Sequence, residues 1–167
     1  YDLEVPFAGR HQAYNAAVVV QAALALCEHG FDISDDAIMQ GIAAARNPAR
    51  IEVLQRRPLV ILDGMHNPDG ARALADVLRA GHVQGLTAVM GVLQGKGEAE
   101  MLCALSPHLA RVYAVQLAAA ARQVCGQVSV WQDVPLAVQD ALRTCQGGVL
   151  ICGSLYLAAQ VRPMFLP

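Results

Sequence analysis

The chain has 167 residues, of which 55% are hydrophobic and 16% charged, and its formal net charge is −2. This composition excludes a disordered tail and gives no electrostatic preference for nucleic acid or an anionic membrane. No apolar run reaches the roughly 18 residues of a membrane-spanning helix. The five cysteines show no Cys-x-x-Cys spacing. We therefore expect a globular cytoplasmic protein with reduced, buried thiols, without a disulfide framework or a zinc site.

The first third of the chain predicts a strand followed by two helices. Tyr1–Val5 alternates apolar and polar residues as a half-buried strand does. An Ala/Val/Leu-rich helix is predicted over Tyr14–His29, and Gly30 ends it. A second helix is predicted over Asp35–Ala45, because Ser34 suits the N-cap and two acidic residues follow it.

After Arg50 the pattern changes to strands that alternate with helices, which predicts a mostly parallel, Rossmann-like sheet with flanking helices. The carboxyl ends of such strands share one edge of the sheet. The segment Leu117–Gln127 contains four consecutive alanines and is either a helix or a loop. The predicted strands are Leu59–Asp63, Thr87–Val92, Val112–Gln116, Val128–Val130 and Val149–Cys152, and the predicted helices are Pro68–Ala80, Glu98–Ser106, Val134–Cys145 and Leu155–Phe165.

The junction Leu59–Gly70 is the most informative stretch of the chain. An apolar strand ends in Asp63, and Asn67 is a good N-cap for a helix that has Pro68 at its first position. Ligands of open α/β sheets bind beyond the carboxyl ends of the strands, which places Asp63 at the mouth of a crevice.

The sequence LDGMHNP at Leu62–Pro68 also resembles the LDGAHNP signature of folylpolyglutamate and dihydrofolate synthases, in the Mur ligase superfamily. Three further motifs occur in the family's order, at Gly9–Ala17 (GRHQAYNAA), Asn47–Val53 (NPARIEV, similar to PGRLEV) and Gly153–Leu157 (GSLYL). The resemblance implies that residues 1–46 are the last strand and helices of the central ATP-binding domain. Residues 47–167 would then be the C-terminal domain.

The resemblance implies an ATP-dependent ligase that joins L-glutamate to a folate or to dihydropteroate. ATP would phosphorylate the substrate carboxylate, and the glutamate amine would attack the acyl phosphate. The resemblance implies that the phosphate loop, the Mg²⁺ ligands and the pterin-binding residues lie in an N-terminal domain, which we expect this chain to lack. We therefore expect an inactive C-terminal fragment of a monomeric parent, and we expect the fragment to self-associate through residues 1–46.

Three residues are implied to contact ATP. Asp63 would hold the ribose hydroxyls, a role that suits a carboxylate at a strand end, although it could instead be a turn or cap residue. Arg50 suits phosphate because its planar guanidinium binds oxyanions in pairs, and the alternative is a solvated linker arginine. Asn15 matches a family asparagine that contacts the nucleotide, and the alternative is a helix cap.

Two residues are implied to lie on the glutamate side of the site. His66 either orients a substrate carboxylate or caps the helix start, and Ser154 either contacts glutamate or is an ordinary N-cap. The stretch Gly91–Gly97 is not a phosphate loop, because its glycine spacing is one residue short and no Ser or Thr follows Lys96. Lys96 matches a family lysine near the cleft, Gly97 stands where Asp is common, and Arg122 is left unassigned.

One alternative function stays open on composition and periodicity alone. The chain could be a non-catalytic, Rossmann-like nucleotide-binding module. A phospho-aspartyl hydrolase is disfavoured, because no second carboxylate lies two residues after Asp63.

Overall fold

The computed structural model of the chain describes residues 1–92, 95–115 and 125–166, and these form two compact units, Tyr1–Pro48 and Ala49–Pro167. The N-terminal unit contains helices α1 (Arg10–Glu28) and α2 (Asp35–Ala43). Its small core consists of Ala16, Val20, Ile38 and Ile42.

The two helices of the N-terminal unit begin for different reasons. The side chain of Ser34 accepts a hydrogen bond from the backbone N–H of Ala37, which confirms the predicted N-cap of α2. Helix α1 begins four residues before the predicted start, because Gly9 occupies the N-cap position at φ 104° and its carbonyl accepts from the N–H of Gln12.

The predicted strand at Tyr1–Val5 is wrong, since this segment has no regular secondary structure. The apolar side chains of this alternating segment nevertheless face the small core, because Leu3 and Val5 pack against it. Among the described residues no strand pairs with this segment, and an unpaired strand leaves its backbone groups without partners.

The C-terminal unit is a six-stranded sheet with helices on both faces. Its strands are β1 (Glu52–Arg56), β2 (Leu59–Asp63), β3 (Leu86–Met90), β4 (Leu109–Val115), β5 (Val128–Trp131) and β6 (Val149–Cys152), in the spatial order β1-β2-β6-β3-β4-β5. Only β1 is antiparallel to its neighbour. In the described part of this unit the helices are α3 (Pro68–Ala80), α4 (Glu98–Leu105), α5 (Val134–Thr144) and α6 (Leu155–Val161), with short 3₁₀ segments at Ser106–His108 and Arg162–Phe165.

Side chains of each parallel strand alternate between two separate cores. Ile61 packs with α3 and α4 on one face, whereas Val60 and Leu62 pack with α5 and α6 on the other. The predicted fold class is therefore confirmed. Sequence missed β1, because Glu52–Arg56 does not alternate, and its strand conformation comes from pairing with β2.

Prolines and caps fix the helix that follows the central junction. The side chain of Asn67 accepts a hydrogen bond from the N–H of Gly70 at 2.8 Å, and Pro68 begins α3 as the sequence predicts. The segment 116–124, which includes Arg122 and most of the predicted alanine-rich element, lies outside the described residues.

We expect α1 to exchange its backbone amide hydrogens with solvent faster than α3. Helix α1 exposes large apolar side chains, including Tyr14 (69%) and Val18 (68%), whereas α3 buries a full apolar stripe against the sheet. Hydrogen exchange followed by mass spectrometry measures both helices in one sample. Equal protection of the two helices at a protein concentration too low for self-association would contradict this expectation.

Candidate functional site

Asp63 ends β2 and is only 4% exposed. One carboxylate oxygen accepts the backbone N–H of Met65 at 2.7 Å, and the other accepts the N–H of Ile51 at 2.8 Å. The side chain thus joins the strand end to the segment that enters the domain. Asp63 therefore is a turn residue, which was the alternative to nucleotide binding, and a contact with nucleotide would be an additional role.

Arg50 is half-buried within a conformationally strained segment. Its neighbours Ala49 (φ 58°) and Ile51 (φ 51°) both adopt the left-handed region, which is unfavourable for residues with a Cβ and most of all for a β-branched one. The carbonyl of Ala49 accepts a hydrogen bond from the N–H of Gly64 at 2.7 Å. Backbone hydrogen bonds on both sides of Arg50 therefore hold this segment against the end of β2.

Glu52 and Arg162 form an ion pair beside this segment. The Nε and Nη2 atoms of Arg162 donate to both carboxylate oxygens of Glu52 at 2.9–3.1 Å. The carboxylate also accepts the backbone N–H of Ala49 at 2.9 Å. The hydrogen bonds from Arg162 are the main reason that the pKa of Glu52 lies below its ordinary value, so the pair persists down to more acidic pH than a solvated glutamate would.

A cavity of about 230 Å³ lies where β3 and β6 end. The chain leaves β3 toward α4 on one face of the sheet and leaves β6 toward α6 on the other, which makes this point the topological switch of the sheet. Crevices at such points are the usual ligand sites of open α/β sheets. The cavity is lined by His66, Val92, Lys96, Gly153, Ser154, Leu155 and Tyr156.

Three polar side chains enter this cavity from three different loops. Ser154 accepts the N–H of Tyr156 at 3.1 Å, so it caps α6 and also lines the cavity. His66 Nδ1 lies 3.1 Å from the carbonyl oxygen of Gly64. The structure therefore brings together His66 and Ser154, the two residues predicted for the glutamate side, and adds Lys96.

The turn that carries Lys96 is held at the start of α4. The carboxylate of Glu98 accepts the N–H of Gly95 at 3.1 Å, and backbone N–H groups, first that of Glu98 itself, lower the pKa of this carboxyl. Gly97 has φ 75°, and a Cβ there would lie 2.7 Å from Pro68. A residue with a Cβ would therefore be strained at position 97.

Asn15 belongs to the N-terminal unit. Because α1 begins at Arg10, Asn15 lies in its second turn and is not a cap. Its side chain donates to the side-chain oxygen of Gln12 at 3.1 Å and lines a separate cavity of about 390 Å³ within that unit.

Cysteine and metal chemistry have little support in the described residues. Burial, with a further contribution from Asp63, raises the pKa of the Cys152 thiol far above neutrality, so this thiol is not a nucleophile. All five cysteines are free. Cys152 is buried as the sequence predicts, whereas Cys27, Cys125 and Cys145 are half-buried and Cys103 is exposed. Within residues 1–92, 95–115 and 125–166, no group of three His, Cys, Asp or Glu side chains could hold a metal ion.

Sequence reasoning missed Tyr156, Glu52 and Arg162. The GSLYL and NPARIEV motifs contain the first two and were a usable signal. Arg162 lies 110 residues from its partner in a segment without a motif, and nothing in the sequence pairs the two.

None of the helices in the described ranges is long and apolar enough to cross a membrane. The sheet and the cavity at its switch point define an α/β ligand-binding domain. Residues 49–155 match the family of the Mur ligase, glutamate ligase domain, and the chain belongs to this family.

Three similar proteins agree with this assignment. The chain is 33% identical over 174 residues to folylpolyglutamate synthase of Lacticaseibacillus casei. The matched region covers 99% of this chain and 41% of the relative. The structure of Mycobacterium tuberculosis folylpolyglutamate synthase complexed with ADP and AMPPCP matches with a TM-score of 0.86 at 28% identity, covering 99% of this chain and 42% of that one. The bifunctional folylpolyglutamate synthase/dihydrofolate synthase of Yersinia pestis, complexed with AMPPNP and a Mn ion, matches with a TM-score of 0.77 at 29% identity, covering 99% and 41%. The chain thus spans about two fifths of the length of these relatives.

Proposed function

We propose that the chain is the C-terminal part of an ATP-dependent ligase that joins L-glutamate to a folate or to dihydropteroate through an acyl phosphate. The observation that carries the proposal is the cavity at the switch point. An ammonium, an imidazole and a hydroxyl converge there from Lys96, His66 and Ser154. Lys96 supplies the positive charge that a glutamate carboxylate requires, and the other two side chains supply hydrogen-bonding groups that orient it.

ATP is the proposed cofactor of the complete enzyme, with Arg50, Asp63 and Asn15 on its nucleotide side. Arg50 fits a phosphate because its guanidinium donates in pairs and stays charged. Asp63 fits a ribose because a carboxylate accepts hydroxyl hydrogen bonds at a strand end. Relatives bound to ADP, AMPPCP and AMPPNP support the choice of nucleotide.

Mg²⁺ is proposed as the metal of the complete enzyme, but the described residues do not form a site for it. Its ligands, the phosphate loop and the pterin-binding residues would come from a preceding domain. In this proposal residues 1–46 are the end of the central ATP-binding domain, and residues 47–167 are the C-terminal domain. No catalytic step is assigned to a side chain of this chain.

The proposed setting is cytoplasmic, with ATP, L-glutamate and a folate or dihydropteroate as the small-molecule partners. The complete enzyme would be a monomer. The isolated chain would self-associate through the apolar surface of α1, which includes the exposed Tyr14 and Val18.

Incorporation of labelled glutamate into folates tests the function. We expect the full-length protein that carries this chain to turn over and the isolated chain to be inactive. In the full-length protein, Lys96→Ala should raise the KM for glutamate by roughly 10- to 100-fold, because a charge-assisted hydrogen bond contributes about 1.5–3 kcal/mol. The KM for ATP should not change.

Arg79→Ala is the matched control, since Arg79 is an exposed cation on α3 that pairs with Asp76. Turnover by the isolated chain above a blank without enzyme would disprove the fragment interpretation. A wild-type KM for glutamate in Lys96→Ala would remove the cavity from the glutamate site. Full-length protein that binds ATP but transfers no glutamate would favour a non-catalytic nucleotide-binding module.

A further inference from the structure

We propose that Arg162 is a positioning residue for ATP, which acts through Glu52 on the backbone that presents Arg50. The inference rests on the proposed function, in which Arg50 contacts the nucleotide. Arg162 itself lies in the 3₁₀ segment Arg162–Phe165 at the end of the described chain.

The ion pair between Arg162 and Glu52 has a well-defined geometry. Arg162 donates through Nε to both oxygens of Glu52, at 3.1 and 2.9 Å, and through Nη2 to one of them at 2.9 Å. The side chains are 31% and 24% exposed, respectively. Two donor groups of one guanidinium fix the orientation of a carboxylate as well as its position.

The carboxylate of Glu52 also contacts the backbone next to Arg50. The Oε2 atom of Glu52 accepts from Arg162 Nε and also from the backbone N–H of Ala49, the residue before Arg50. The orientation that Arg162 imposes is therefore the one that holds the Ala49 amide. Across Arg50, the N–H of Ile51 is held in the same manner by Asp63.

The backbone on both sides of Arg50 is strained. Ala49 and Ile51 have φ values of 58° and 51°, in the region that L-residues with a Cβ rarely adopt. Such conformations persist only where surrounding contacts over-determine them. Without the carboxylate of Glu52 in place, we expect Ala49 to relax toward negative φ and the side chain of Arg50 to change direction.

The competing explanation is that the pair only attaches the last 3₁₀ segment to β1. In that case its loss lowers stability and has no specific effect on ATP. The two explanations differ in how substitutions at positions 162 and 50 combine, because residues that act through one another give non-additive effects.

Steady-state kinetics of the full-length protein test the inference. Arg162→Gln should raise the KM for ATP roughly tenfold, a loss within the range that misplacement of a positioning group produces. The KM for glutamate should stay at its wild-type value. In an Arg50→Ala background, Arg162→Gln should add no further increase. Arg162→Lys should restore only part of the loss, because an ammonium lacks the planar fork of the guanidinium.

Glu52→Gln is the second variant if Arg162→Gln does not fold. The amide oxygen of a glutamine at position 52 can still accept the Ala49 N–H, while the ion pair with Arg162 is lost. Arg79→Gln is the control, because it breaks an ion pair whose side chains are 68% and 69% exposed on the outer surface of α3. Amide exchange at Ala49 should quicken in Arg162→Gln and stay unchanged in Arg79→Gln.

The outcomes separate the inference from the proposed function. If Arg50→Ala raises the KM for ATP while Arg162→Gln leaves it unchanged, or raises it by the same factor in both backgrounds, the positioning role of Arg162 is disproved. If Arg50→Ala itself leaves the KM for ATP unchanged, the nucleotide assignment of Arg50 fails, and the role of Arg162 fails with it.

Discussion

Asp63→Ala is expected to destabilise the C-terminal unit by about 3 kcal/mol or more. Asp63 is 4% exposed and accepts hydrogen bonds from the backbone N–H groups of Ile51 and Met65, and the substitution removes this acceptor. Each buried donor left without a partner costs about 1–3 kcal/mol. Urea unfolding of the isolated chain, followed by circular dichroism, measures the difference.

Asp76→Ala is the matched control, because the Asp76 side chain is 69% exposed on α3 and pairs with the exposed Arg79. Exposed pairs of this kind contribute about 0–1 kcal/mol. Equal urea unfolding midpoints for Asp63→Ala and Asp76→Ala would show that the two hydrogen bonds accepted by the Asp63 carboxylate do not stabilise the turn.

This expectation corrects the one that sequence alone supports. A carboxylate at the mouth of a crevice predicts a residue whose removal impairs ATP use and leaves the fold intact. The structure instead gives Asp63 a second task, because it holds the strained segment that contains Arg50. The kinetics of Asp63→Ala therefore require correction for lost stability. Arg50→Ala, in contrast, leaves in place both hydrogen bonds that the Asp63 carboxylate accepts.

The elements that sequence predicts best are those whose signals are local. Strand β2 and helix α3 begin and end at the predicted residues, since an apolar run, an N-cap and a proline follow one another directly. Strand β1 and the segment Tyr1–Val5 were misjudged, because a strand depends on a partner that its own residues do not specify.

The same distinction applies to the candidate site. His66, Lys96 and Ser154 come from loops after three parallel strands, and the rule that such loops share one sheet edge brings them together. The ion pair of Arg162 with Glu52 follows no such rule. It depends on where the last 3₁₀ segment packs, which only the folded chain determines.

Gly153→Ala is expected to have a large effect on both stability and the cavity. Gly153 has φ 109°, and a Cβ there would lie 2.7 Å from the carbonyl oxygen of Gly91 and 2.8 Å from Cγ2 of Val92. Backbone strain of this kind costs about 1–3 kcal/mol, and overpacking of a filled site costs a similar amount. We therefore expect a loss of about 3 kcal/mol or more in urea unfolding of the isolated chain.

The same substitution should weaken glutamate use in the full-length protein, because relief of the clash must move apart the ends of β3 and β6 that form the cavity. Gly126→Ala is the matched control, since a Cβ there meets no atom of the described residues within 4 Å and its φ is ordinary for an L-residue. The expected result is a raised KM for glutamate in the fraction of Gly153→Ala that stays folded, with wild-type behaviour for Gly126→Ala. Wild-type stability in Gly153→Ala would mean that the strand ends lie farther apart than this geometry requires, and the cavity would no longer be defined by their close approach.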